Sequence, residues 1–165
     1  MSDEGYACYD IQPLDSRDCV RLRPSMYLGG VDHAALQHML WEVVANVVDQ
    51  HLSRRASHLR VDIVDGWVEV EDDGPGMPVF VVPGVELRAP TVMLTRFSRT
   101  ATWDGHHPHI HLSGAHGVGL MPVNAVCAEF ELETRAEGRV WRQRFERGHA
   151  RSEEHTSELQ SLTNL

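Results

Sequence analysis

Residues 32–51 read DHAALQHMLWEVVANVVDQH, and the fold is decided by the period of that stretch. Leu36, Met39, Leu40, Val43, Val44, Val47 and Val48 recur at three- and four-residue steps, as on an amphipathic helix. Asp32 stands where such a helix needs an N-cap. Glu42, Asn46 and Asp49 follow one another at steps of four and three, so their side chains share one helix face. A carboxylate and a carboxamide one turn apart can serve a metal-bound phosphate and its attacking water. Glu42 would be the general base. Asn46 would offer a neutral oxygen to Mg²⁺ beside phosphate oxygens and waters. A solvated polar stripe has the same spacing, so the helix alone does not choose between the two.

Outward from the helix, the pattern changes to period two. Residues 60–64 and 67–71 alternate apolar and polar about Asp65-Gly66, which predicts a β-hairpin. Asp72-Asp73-Gly74-Pro75-Gly76-Met77-Pro78 follows directly. Glycines there let backbone approach a flat ligand, Asp72 can accept from an exocyclic amine, and Met77 can pack on a ring. The same residues also spell an ordinary turn. Residues 79–118 read as irregular, with a short helix at 91–97. Gly114-Ala115-His116-Gly117-Val118-Gly119 opens a helix expected near 118–127, where free amides would face an anion. That spacing also suits a dinucleotide fingerprint, but residues 106–113 do not read as the buried strand such a site needs. Strands at 129–135 and 139–146 complete the order helix, hairpin, loop, helix, hairpin. The expected class is α+β, a mostly antiparallel sheet with helices on one face. Residues 1–30, punctuated by Pro13, Pro24, Gly29 and Gly30, read as a loop-like N-terminal arm.

Composition narrows the function classes. The chain has 165 residues, 42% hydrophobic and 24% charged, with net charge −9. All 15 basic residues are arginine. An acidic body is a poor partner for the DNA backbone. No apolar run approaches the roughly 18 residues of a membrane span, and the acidic start Met1-Ser2-Asp3-Glu4 is no secretory signal. Cys8, Cys19 and Cys127 are scattered, without a disulfide framework, so the expected location is cytoplasmic.

Together, in this order, the three polar and glycine-rich segments resemble the N-box and the first and second glycine boxes of the GHKL ATPases. The resemblance sharpens at Arg23-Pro24-Ser25-Met26-Tyr27-Leu28-Gly29, at residues 41–49 and at Val123-Asn124-Ala125. These are similar to segments of the ATPase subunits of type IIA topoisomerases, the gyrase B and topoisomerase IV family. The similarity covers about residues 9–147. It implies a two-layer α/β sandwich of the Bergerat type, here a partial domain over 31–150 that is incomplete at its C-terminus. It implies ATP and Mg²⁺ as cofactors and Glu42 as the water-activating base. Asn46 would hold the metal. Asp72, Gly74, Gly76, Met77 and Pro78 would line the adenine site. Gly114, His116, Gly117, Val118 and Gly119 would hold the phosphates. It further implies an ATP-dependent homodimer, with Tyr6 or Tyr9 in its arm, and a gyrase A-like partner of the full-length protein. DNA would be reached only through domains absent from this chain.

Departures from the family pattern are specific. Ala45 stands for an Asp, Gln50 for a Glu and Pro75 for an Arg; that Glu and Arg pair in the family, and both are gone together. Residues 97–112, where the family carries its lid lysine, hold His106, His107, His109 and His111, which suit a polar lid; the alternating His107, His109 and His111 also suit a metal site. The family's third glycine box and the second domain, whose lysine contacts the γ-phosphate, are expected beyond Ala150, so turnover by this chain is expected to be slow or absent. A degenerate paralogue that binds nucleotide without turnover is the alternative reading. Residues 151–161, RSEEHTSELQS, resemble a translated sequencing adapter, which implies that 151–165 is a non-native tail.

Overall fold

The computed structural model describes residues 13–97, 119–136 and 138–156. Two short helices come first, α1 at Ser16–Leu22 and α2 at Pro24–Leu28. They correct the loop-like reading over residues 16–28. Asp15 caps α1 by accepting the Asp18 N–H at 2.7 Å. Pro24 occupies the first turn of α2, and Gly29, with φ 75°, ends it. Proline and glycine here start and stop a helix rather than break one.

The long helix α3 spans His33–Leu52. As expected, Asp32 caps it, its Oδ1 accepting from the Ala34 and Ala35 amides. The apolar stripe is only partly covered: Val47 is buried, while Leu36 is 59% exposed. Asp49, expected on the polar face, is buried.

The hairpin follows, β1 at Leu59–Val64 and β2 at Trp67–Asp72, paired antiparallel with Val64 opposite Trp67. Asp65 and Gly66 both have positive φ, the tight turn that matches strand twist. Helix α3 packs against β2. An isolated bridge joins Val81 and Arg88 before α4 at Ala89–Thr95.

The second half begins with α5 at Leu120–Val126, entered from Gly119. Then β3 at Glu129–Ala136, β4 at Arg139–Glu146 and β5 at His149–Thr156 form an antiparallel sheet with β4 in the middle. Strand β5 runs past the boundary expected at Ala150, because ladder pairing needs only backbone groups. Among the described residues the β1–β2 and β3–β4–β5 ladders are separate. The α+β class with antiparallel strands is the one the sequence indicates.

The helical core lies between α1 and α5. Val20 packs with Met121 and Ala125, flanked by Tyr27 and Val126. Tyr27 also stacks on Phe97 at 5.3 Å between ring centroids. Arg21 closes the far end of α5, donating to the Ala125 carbonyl at 2.7 Å, a cation where the helix dipole favours one. Buried Asn124 donates to the Leu94 carbonyl at 2.8 Å, tying α5 to α4. Among the described residues no helix is long and apolar enough to cross a membrane.

Candidate functional site

Helix α3 sets out the polar groups. The Asn46 amide nitrogen donates to the Glu42 carbonyl one turn back at 2.5 Å. The Glu42 side chain is 14% exposed, and His38, one turn earlier, places Nε2 at 3.4 Å from Glu42 Oε1. The sequence reading missed His38. Its signal was the i,i+4 spacing to an acid on the same helix face.

Gly119 brings the second half of the chain onto this face. A Cβ added there would overlap Glu42 Oε2 and lie 3.0 Å from Glu42 Cδ. Glycine lets the entry to α5 press its backbone against the carboxylate without displacing it. Gly114, His116, Gly117 and Val118, and the lid histidines, lie outside the described residues, as do Tyr6 and Tyr9.

The glycine loop closes the opposite end. At the C-terminus of α3 the His51 Nδ1–H donates to the Ala56 carbonyl at 3.0 Å. Ala56 Cβ would in turn lie 3.6 Å from a Cβ placed on Gly74. Asp72 ends β2 exposed, its Oδ1 accepting the Gly74 N–H at 2.8 Å. Asp73 faces elsewhere. It accepts from the Ser57 hydroxyl at 2.6 Å and from the Ser57 and His58 amides at 2.7 and 2.9 Å. These bonds, the Ser57 hydroxyl first, hold the Asp73 carboxyl well below the usual carboxylate range. The two adjacent aspartates therefore divide their work: Asp73 fastens the entry of β1, and Asp72 is left at the loop. Met77 and Pro78 are half-buried behind it.

The family departures also have a structural trace. Ala45 is buried on α3, and Pro75 is exposed. Gln50 Oε1 is buried with no hydrogen-bond partner among the described residues. With no arginine at position 75, a carboxylate at position 50 would face an uncompensated charge, and a neutral amide costs less. No group of three or more His, Cys, Asp or Glu side chains suited to a metal occurs among the described residues. A Mg²⁺ held by one protein oxygen, phosphates and waters needs no such group.

A polar helix face, a glycine loop closing one end and a glycine contact at the other, on an antiparallel α+β frame, define a GHKL-type ATP-binding domain. The profile of the histidine kinase-, DNA gyrase B-, and HSP90-like ATPases matches residues 31–158, and the chain belongs to that family. It is 36% identical over 153 residues to the DNA gyrase B protein of Haloferax volcanii, covering 92% of this chain and 24% of that one. To the DNA gyrase B protein of Thermotoga maritima it is 37% identical over 146 residues, 88% of this chain and 23% of the relative. The 43K ATPase domain of Thermus thermophilus gyrase B, solved in complex with an aminocoumarin, superposes with a TM-score of 0.74 at 30% identity. That match covers 90% of this chain and 36% of that one. The chain thus spans about a quarter of the length of these curated relatives.

Proposed function

We propose that this chain is the ATP-binding region of a type IIA topoisomerase of the gyrase B kind. In the full-length protein it would couple ATP binding and hydrolysis to changes in DNA topology in the cytoplasm. The observation that carries this reading is the contact of Gly119 with Glu42, which brings the entry to α5 against the polar face of α3.

Each residue then has a task. Asp72 accepts from the adenine amine, and Met77 and Pro78 wall the base. Gly74 and Gly76 let the backbone of that wall lie close. Gly114, His116, Gly117, Val118 and Gly119 present amides to the phosphates. In hydrolysis a water oxygen bonds to the γ-phosphorus, the bond to the β–γ bridging oxygen breaks, and ADP leaves. Glu42 takes the proton from that water. His38, beside Oε1, orients the carboxylate. Asn46 would hold Mg²⁺, which would supply neutralisation of phosphate charge, and positioning with neutralisation is most of what phosphoryl transfer requires. DNA, a gyrase A-like protein and the second copy of an ATP-dependent homodimer would be met by the complete protein.

Gln50 and Pro75 favour a second reading, a paralogue that binds nucleotide without turnover. Titration calorimetry of the chain with a non-hydrolysable ATP analogue and Mg²⁺ tests the common ground. Saturable binding is expected, with a loss of tenfold or more in Asp72→Asn, about 1.4 kcal/mol. Equal binding by the variant would remove the adenine assignment. Phosphate release by a longer chain, absent in Glu42→Gln, separates the two readings.

A further inference from the structure

Thr134 holds a position on β3 where strand alternation calls for an apolar side chain. Phe130, Leu132 and Ala136 point inward between exposed Glu131, Glu133 and Arg135, and Thr134 is the buried member of the inward set, 5% exposed. A hydroxyl removed from water is costly unless it is paired. Its partner is the backbone of Met77. The Met77 N–H donates to Thr134 Oγ1 at 2.7 Å, and the hydroxyl donates back to the Met77 carbonyl at 3.4 Å. One side chain thus clasps both backbone groups of one loop residue, as a neighbouring strand would.

Gly76 completes the clasp. It has φ +72°, and a Cβ there would stand 2.5 Å from the Arg135 carbonyl oxygen and 2.6 Å from Thr134 Oγ1. Loop 74–77 therefore lies directly on β3. Its other end is held by the Asp72 carboxylate on the Gly74 amide. Between those two anchors the loop has little freedom in depth.

We propose that Thr134 is a positioning residue for nucleotide. It sets the depth of Met77 and Pro78 and so the affinity for the base end of ATP. The inference rests on the assignment of residues 72–78 to the adenine wall.

The test uses the whole chain and the variants Thr134→Val, which keeps the shape and removes the hydroxyl, and Thr134→Ser, which keeps the hydroxyl. Binding of a non-hydrolysable ATP analogue, exchange of the Met77 amide hydrogen and the melting midpoint are measured on each. Thr134→Val is expected to bind about tenfold more weakly, the size of one lost buried hydrogen bond. Its Met77 amide should exchange faster, and Thr134→Ser should restore both. A merely structural role would lower the melting midpoint in Thr134→Val and leave analogue affinity of the folded protein unchanged; that result overturns the proposal. So does a Ser variant as weak as Val despite a protected Met77 amide. Should Thr134→Val fail to fold, Thr134→Ala takes its place with the same expectations. Failure of the underlying assignment looks different: the unaltered chain itself would not bind the analogue.

Discussion

At the residue scale, the contact between Gly119 and Glu42 carries more weight than any single motif. Glu42 and Asn46 are legible in the sequence, because a four-residue step fixes a shared helix face. Asp72 is legible because it ends a strand and opens a glycine loop. The meeting of Glu42 with Gly119 is not, since nothing local to either segment encodes a contact made far along the chain. Gly119→Ala should push Glu42 aside or shift α5, and overpacking of this kind costs about 1–3 kcal/mol. Thermal melting of Gly119→Ala, Glu42→Ala and the double variant forms a cycle. The alanine at 119 is expected to be costly with Glu42 present and nearly neutral without it. Additive effects would mean that position 119 does not press on Glu42.

At the element scale, helix α3 and the β1–β2 hairpin are readable because cap, period and turn residues agree. Asp32 caps, and Asp65-Gly66 turns with positive φ at both positions. Helices α1 and α2 are not readable, because Pro24 and Gly29 mark helix ends with the same residue types that punctuate loops. Thr134 leaves a faint signal, a polar residue in an inward apolar set. The Asp73 link between the start of β1 and the end of β2 leaves none, since adjacent aspartates look alike until their partners are known. That link makes hairpin stability depend on pH. The folded Asp73 carboxyl titrates below its ordinary value of 3.8, held by the Ser57 hydroxyl and the Ser57 and His58 amides. A lowered folded value means that stability is present above the unfolded value and lost as pH falls below it. The melting midpoint should therefore fall on acidification from about pH 5 to about pH 2, and Asp73→Asn should flatten part of that fall. An acid limb identical in the variant would mean that the link contributes nothing.

At the scale of the whole molecule, the second sheet runs on past Ala150. Strand β4 carries buried Trp141, Gln143 and Phe145 and sits between β3 and β5. Strand β5 contains His149 and Ala150, then continues through residues 151–156 to pair Gln143 with Glu153 and Val140 with Thr156. We propose that residues 151–165 are of non-native origin, and the ladder does not oppose this. Backbone N–H and C=O groups pair whatever side chains they carry, so a foreign segment entering from a native turn can extend the strand. The turn itself is suited to this: Arg147 and Gly148 both have positive φ, and Gly148 lies so close to Ala125 and Arg17 that a Cβ would stand 3.0 Å from each. A chain ending at Ala150 would keep that turn and the Phe145–Ala150 pair but lose the outer ladder of β4. At about 0.5–1.5 kcal/mol for each net hydrogen bond, the loss should amount to roughly 2 kcal/mol or more. The bared edge should also favour self-association. Melting and sedimentation of residues 1–150 beside the full chain measure both effects. A shorter chain that melts at the same temperature and stays monomeric would show that the extension of β5 adds nothing, and that the domain is held up to Ala150 by its own contacts.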